Sequence, residues 1–461
     1  METIRLVKDQ RDFFLSGSTL PCDFRLEQLS KMKALIRQNE EKIIQALFSD
    51  FRKPPVETYM SEIYLTLDEL NLSVRNLRKW MKPKRVSSNL LNFPSTSMIM
   101  KEPFGVTLII SPWNYPFQLG ILPLIGAMAA GNCAVLKPSE YSPATSGLME
   151  EIINNNFPSG YVHVVNGGIE TSSQLLEQKS DLIFFTGSSN IGRIVAAAAA
   201  RNLTPCILEL GGKNPCIVEK DYDLKLAARR IVWGKFFNGG QTCIAPDYLY
   251  VHEEIHDELI RQLIRRIEEQ LGKDPHRSGD LARIINEKNF RRIVSYIDNS
   301  KVVYGGTYDE SEKYISPTLL DRVTWEDAVM QDEIFGPVLP VMTYSKIEEV
   351  IEKLKYTDKP LSFYLFTRSG RIQELLLNQI SFGGASVNDT ISHFINPNLP
   401  FGGIGQSGYG AYHGKYTFDT FSHNKSVLKR GSWLDVPLRY PPYTRKKIKQ
   451  IRKAFKFNIS I

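Results

Sequence analysis

The chain changes texture at residue 104, and that change constrains its fold more than any other feature. Ahead of it the sequence reads as helix: EQLSKMKALIRQNEEKIIQALFSDF sets Leu29, Met32, Leu35, Ile36, Ile43 and Ile44 at near-helical spacing. Beyond it, short apolar runs closed by Gly, Pro or Ser (GVTLIISPW, NCAVLKPS, YVHVVNGG, DLIFFTGS, CILELGG) alternate with helix-length segments such as QLGILPLIGAMAA and NIGRIVAAAAARN. Strands that are apolar on both faces need cover on both faces, so the alternation predicts a doubly wound α/β sheet. Ligands of such sheets bind beyond the carboxyl ends of the strands, where SPWN, KPSE and TGSSNIG fall. A second series after residue 209 (CIVEK, YLYVHEE, KVVYGG, VLPVMTY, LSFYLFT, GGASVND) predicts a second α/β lobe. Residues 87–103, SSNLLNFPSTSMIMKEP, interrupt the first lobe and read as a protruding hairpin able to pair with another element or subunit.

Charge narrows the partners. Arg439, Arg445, Lys446, Lys447, Lys449, Arg452, Lys453 and Lys456 follow Asp435 with no further acid, and these eight exceed the net charge of +7, so the basic character belongs to the tail. Nothing in the body resembles a nucleic-acid motif, and no nucleic-acid partner is expected. The N-terminal METIRLVKDQRDFF lacks an apolar signal core and no stretch reaches the roughly 18 apolar residues of a spanning helix, which predicts a cytoplasmic protein. Ile448, Ile451 and Phe455 stand at i, i+3 and i+7, so the tail also suits a basic amphipathic helix on an anionic membrane, a docked segment or a frayed end. The cysteines Cys22, Cys133, Cys206, Cys216 and Cys243 are odd in number and widely spread, which argues against a disulfide framework and a structural zinc site.

NGGQTCIAPDYLYVHEEIH, residues 238–256, carries two rival catalytic patterns. Cys243 follows a glycine pair, as a nucleophile in a tight loop does. His252, Glu253 and His256 spell the H-E-x-x-H of a zinc hydrolase, which needs both histidines on one helical face. Here His252 ends a strand-like run and the helix begins after it, so no metal is expected. FTGSSNIG, with Gly187 and Gly192 five apart, is not G-x-G-x-x-G. It suits a pyrophosphate at a helix N-terminus, or only a turn that needs glycine. Lys137 and Glu140 in KPSE read as ribose ligands or as a solvated charge pair.

Cys243 gains weight from its company. SPWNYP, LKPSE, FTGS, LELGGKNP, NGGQTC, EIFGP and PFGGIGQSG, in this order, resemble the NAD(P)-dependent aldehyde dehydrogenase superfamily along nearly the whole chain, and GAYHGKYTFDTFSHNKSV is most similar to its class 3 branch of fatty and aromatic aldehyde dehydrogenases. The resemblance implies that Cys243 attacks the aldehyde, that Asn114 and the Cys243 N–H hold the oxyanion, and that Glu209 activates water to hydrolyse the thioester, which argues against a relative that acylates coenzyme A. It implies cofactor contacts at Trp113, Lys137, Pro138, Glu140, Gly187, Ser188, Glu333 and Phe335. Glu140 should repel a 2′-phosphate, favouring NAD, with NADP also accepted by many class 3 relatives. Tyr115, Ile391, Ser392, His393 and Phe394 are expected near the substrate entrance, giving an apolar funnel for medium or long aliphatic and aromatic aldehydes. His413 is read as structural.

The implied architecture is two Rossmann-like domains and a bridging β-arm: a cofactor-binding domain over 1–209 interrupted by a hairpin at 84–104, a catalytic domain over 210–395, a return to the core with an oligomerisation strand over 396–430, and the basic tail over 431–461. Residues 421–428 are the expected partner strand of the arm, and a homodimer the expected assembly. A non-catalytic dinucleotide-binding relative is the main alternative, although Cys243, Glu209 and Asn114 are all intact.

Overall fold

A computed structural model describes residues 2–89 and 92–458; of the expected hairpin and tail, Leu90, Leu91 and 459–461 lie outside the described residues. The helical opening is built from Glu2–Leu15, Cys22–Gln38, Glu40–Phe51 and Leu65–Trp80, and the apolar stripe buries Leu29, Met32, Ile36 and Ile43. Asn39 breaks the stripe's helix in two: its side-chain amide donates to Leu35 O at 2.8 Å, competing for a helical carbonyl. Between the third helix and the long fourth, a π-helical turn spans Tyr59–Tyr64. Such wide turns often accompany functional sites, and this one faces the cavity described below.

The first expected series forms a six-stranded sheet in the order Gly408–Tyr409, Cys206–Leu210, Leu182–Gly187, Val106–Ile110, Cys133–Lys137, Val162–Val164. All pairs are parallel except that of Gly408–Tyr409 with Cys206–Leu210. The order of the parallel strands is that of a dinucleotide-binding half, with its switch point between Val106–Ile110 and Leu182–Gly187. SPWN and GS leave the carboxyl ends of those two strands. The covering helix Gln118–Ala130 is buried on every side, which explains its lack of a polar face.

The second series forms a seven-stranded sheet ordered Val302–Tyr304, Thr318–Leu320, Val338–Tyr344, Tyr248–His252, Pro215–Val218, Ser362–Phe366, Gly384–Val387, antiparallel only at Val302–Tyr304. Every expected strand is present. Thr318–Leu320, three residues behind Pro317, carried too short an apolar run to be read from sequence. Here the polar segments stand at the amino ends: Asn214 precedes Pro215, Cys243 precedes Tyr248, and Glu333 precedes Val338. The carboxyl-end rule therefore holds for the first sheet and is reversed for the second.

Residues 1–80 and 102–423 form one compact unit holding both sheets, and 81–101 with 424–461 form another. In the smaller unit Lys84–Val86, Ser95–Pro103 and Ser422–Arg430 make a three-stranded sheet, with Arg85 opposite Met98. Phe93 meets Trp433 edge-on at 6.0 Å, and Gly431 N donates to Pro94 O at 2.8 Å. The tail forms a helix over Arg445–Asn458.

Candidate active site

The segment bearing Cys243 is shaped by three consecutive left-handed residues, Asn238, Gly239 and Gly240, with φ of 58°, 61° and 75°. Asparagine tolerates this region, and glycine favours it. Gly240 is also required by space, since an added Cβ would lie 2.3 Å from Gly336 O. Buried amides then hold the loop carbonyl by carbonyl. Asn214 Nδ2 donates to Cys243 O and Ala245 O at 2.8 and 3.0 Å, while its Oδ1 accepts from Ser362 N at 2.8 Å. Gln241 Nε2 donates to Arg283 O at 3.0 Å, and its Oε1 accepts from Ile285 N at 3.0 Å. Tyr364 donates its hydroxyl hydrogen to Ile244 O at 2.5 Å. With its backbone fixed on both sides, Cys243 lines a cavity of about 1050 Å³.

Asn114 leaves the carboxyl end of the first sheet and reaches this loop. Its Nδ2 donates to Gln241 O at 2.9 Å, and its backbone carbonyl accepts from Asn238 Nδ2 at 2.9 Å. A carboxamide has two N–H donors, so one remains for an oxygen bound beside Cys243. Glu209 lines the same cavity, 3 % exposed, with neither carboxyl oxygen hydrogen-bonded among the described residues. Burial drives its pKa well above the usual carboxylate value, because the charged form is disfavoured where solvent is excluded. Burial likewise pushes the Cys243 thiol up, and the carboxylates of Glu333 and Glu209 add to the effect.

Glu333 approaches so closely that a Cβ on Gly211 would lie 2.0 Å from its Oε2. Burial, with Asp247 second, raises its pKa to about 8. The segment is pinned by Asp247 Oδ1, which accepts from Ile334 N at 2.9 Å, and by Arg292, which donates to Glu333 O at 3.0 Å and to Ile334 O at 2.9 Å. Phe335, at φ 51°, meets Trp113 edge-on at 5.4 Å, joining a loop of one sheet to a loop of the other.

The donor set fits a dinucleotide. Gly187 and Ser188 line the cavity at the start of the helix Ser189–Arg201, whose first turn has no acid and so presents a positive helix end to an anion. The cavity stands at the upper end of the roughly 300–1,000 Å³ of ligand pockets. Lys137, Pro138 and Glu140 lie outside its lining, at the end of the neighbouring strand, with Lys137 Nζ 3.0 Å from Glu140 Oε2.

The entrance expectations divide. Ile391 and Phe394 line the cavity. Tyr115 does too, but as a buried prop whose hydroxyl lies 2.6 Å from Thr242 Oγ1. His393 and Ser392 are not on the wall: the imidazole of His393 is held between Ser362 Oγ at 3.2 Å and Ser386 Oγ at 3.1 Å, and burial lowers its pKa to about 4. The outer wall instead contains exposed Tyr59, Met60, Tyr64 and Ile395, with Trp233, Phe237, Phe401 and Tyr412 also lining the cavity. Sequence reasoning missed Tyr59, Met60, Tyr64, Trp233 and Phe237 because they come from distant elements without a local motif, whereas Phe401 and Tyr412 stand inside PFGGIGQSG and GAYHG, whose sequence does not say which side chains face the cavity. His413 is buried among Phe394, Phe401 and Tyr412. His252 and His256 are engaged apart, the first accepting from Glu254 N at 3.3 Å and the second 2.7 Å from Asp321 Oδ1.

The model of the aldehyde dehydrogenase family matches residues 3–427. The chain is 46% identical over 450 residues to the 4,4′-diaponeurosporen-aldehyde dehydrogenase of Staphylococcus aureus, covering 97% of this chain and 98% of that protein. It is 44% identical to aldehyde dehydrogenase family 3 member B1 of Mus musculus, covering 96% and 95%. The solved NAD-dependent aldehyde dehydrogenase from Sinorhizobium meliloti superposes with a TM-score of 0.86 at 29% identity, covering 96% and 88%. Family, fold and cavity agree: this chain belongs to the aldehyde dehydrogenase family, in its class 3 branch, and is an enzyme that oxidises aldehydes to carboxylic acids.

Proposed function

We propose that Cys243 is the nucleophile, Asn114 with the Cys243 N–H the oxyanion donors, and Glu209 the base of the hydrolytic step. The observation that carries this reading is that the three side chains line one cavity while the loop carbonyls around Cys243 are all otherwise engaged. The thiol of Cys243 gives its proton to water in the cavity, the resulting thiolate adds to the aldehyde carbon, and the spare N–H of Asn114 stabilises the negative charge on oxygen. NAD, when bound, supplies the acceptor for the hydride that leaves this carbon. Water then attacks the thioester, its proton passes to Glu209, the C–S bond breaks and its electron pair stays on sulfur.

The finer assignments are proposals of the same kind. Trp113, Gly187, Ser188, Glu333 and Phe335 hold the nicotinamide and pyrophosphate portions; Lys137, Pro138 and Glu140 hold the adenine ribose, and the Glu140 carboxylate favours NAD over NADP. Tyr59, Met60, Tyr64, Phe394 and Ile395 make an aromatic and aliphatic wall, which supports medium or long aliphatic and aromatic substrates at about 0.8 kcal/mol per buried methylene. We keep 1–209 as the part serving the cofactor and 210–395 as the part serving the nucleophile. We assign a homodimer, formed through the arm and the strand Ser422–Arg430. No helix among the described residues is long and apolar enough to cross a membrane. Cytoplasmic residence is our reading, with the tail helix touching anionic membrane surfaces.

The test is NADH formation from a panel of aliphatic and aromatic aldehydes by wild type and Cys243→Ala. Turnover that survives Cys243→Ala would remove the nucleophile assignment, and efficiency that is flat from two to twelve carbons would remove the substrate assignment.

A further inference from the structure

The cavity wall contains buried polar groups that the chemistry above leaves unmatched. Tyr412 is fully buried, and its hydroxyl has no hydrogen-bond partner among the described residues. Neither has either carboxyl oxygen of Glu209, on the same wall. Buried polar groups are nearly always paired, and exceptions call for a functional account.

The sheet explains how both come to line one cavity. Gly408–Tyr409 runs antiparallel to the strand of Glu209, with Gly408 directly opposite Glu209. Gly408 has φ 116°, and a Cβ there would lie 1.9 Å from Leu208 O, so only glycine permits this approach. The chain then reaches Tyr412, whose backbone exchanges hydrogen bonds with Phe401 at 2.9 and 3.0 Å. Edge-on contacts with Phe184 at 5.2 Å, His413 at 4.8 Å and Phe401 at 5.6 Å fix the ring. Burial dominates the surroundings of the phenol, and Glu209, Cys243 and Glu69 are the titratable groups near enough to act on it. Thr186, opposite Glu209 in the parallel strand on the other side, also lines the cavity with an unpaired hydroxyl and is the comparator.

We propose that Tyr412 is a positioning residue for hydrolysis of the thioester: its hydroxyl donates to the Glu209 carboxylate, orienting it and favouring the ionised form that receives the proton of water. Tyr412 keeps its own proton throughout. The proposal rests on Glu209 as the base. Ionising a buried carboxyl that has no donor is unfavourable, and a phenolic O–H on the same wall offsets that cost.

The experiment compares wild type, Tyr412→Phe, Thr186→Val and Glu209→Gln in steady-state rate from pH 6 to 9, in the fraction of acylated Cys243 trapped by acid quench and weighed as intact protein, and in melting temperature. Tyr412→Phe should lower the steady-state rate about tenfold, raise the acylated fraction and move the acid limb of the rate profile to higher pH. Its melting temperature should stay level or rise, because the oxygen removed had no partner. A lower rate without acyl-enzyme accumulation would assign the hydroxyl to the reduction step and overturn the proposal. So would an unchanged rate and acid limb, or the same losses produced by Thr186→Val and not by Tyr412→Phe. Undiminished hydrolysis in Glu209→Gln would remove the base assignment itself, a failure distinct from that of Tyr412.

Discussion

The hydroxyls of Tyr115 and Thr242 lie 2.6 Å apart, and through them a buried cation reaches the residue before Cys243. Lys53 Nζ sits 3.8 Å from the centre of the Tyr115 ring and 2.7 Å from Glu62 Oε1, with both charged side chains fully buried. Glu62 Oε2 in turn accepts from Gln118 N at 2.8 Å. Lys53→Met should destabilise the protein by about 3–5 kcal/mol, because Glu62 is left as an unpaired buried charge. Lys53→Met with Glu62→Leu should recover most of that loss. Urea unfolding of both variants checks it, and a double variant no better than the single one would mean the pair is not isolated from other charges.

Asn114 should be worth most in the step that develops charge on oxygen. Asn114→Ala is expected to lower kcat by about 10²–10³-fold, in keeping with loss of one oxyanion donor. A change confined to KM, read from initial rates, would make Asn114 a binding residue instead.

Gly240 should tolerate nothing larger. Gly240→Ala adds a methyl against Gly336 O in a left-handed turn, so the Cys243 loop must shift. Misplacement of a catalytic group by an ångström costs about 10²-fold, and kcat/KM should fall by at least that. The check is activity of correctly folded protein, judged by circular dichroism.

Glu333 makes the stability of the fold depend on pH. Its folded pKa, about 8, stands above the ordinary carboxyl value of 4.5 because burial and Asp247 disfavour its charge. Its contribution is therefore fully present below about 4.5 and is lost as pH rises through about 8. Glu333→Gln should raise the melting temperature more at pH 9 than at pH 5. An equal gain at both would mean that the carboxyl ionises without cost.

The tail gives a separate prediction. The helix Arg445–Asn458 has no acid, and its Ile448 and Phe455 are 44% and 45% exposed. Co-sedimentation with anionic vesicles should exceed that with neutral ones and fall with salt. Loss of the difference on truncation after residue 436 is the expected outcome, and equal binding with and without the tail would exclude it as the contact.

Much of the fold was legible because its strands are apolar on both faces: LIIS, AVLK and LIFF announce themselves without partners. Short elements escaped. Gly408–Tyr409 has two residues and no apolar run, yet it sits opposite Glu209. Within the site, Cys243, Asn114 and Glu333 sit in local motifs, and all line the cavity. Tyr59, Tyr64 and Trp233 do not, since the wall they join exists only once the N-terminal helices pack. His393 was misread because sequence proximity to Ile391 and Phe394 says nothing of side-chain direction; the backbone turns at Ile391, φ 48°, and points the ring toward Ser362 and Ser386 instead.

The two sheets offer the cavity opposite ends of their strands, carboxyl ends from one and amino ends from the other. Gly187 and Ser188 thus come from the exits of one sheet, and Cys243 and Glu333 from the entries of the other, the two sets of loops being joined at the wall by contacts such as Trp113 on Phe335. Because those loops touch, an edit at an exit of the first sheet is felt at the entries of the second, so an engineer has to change the two groups of residues together.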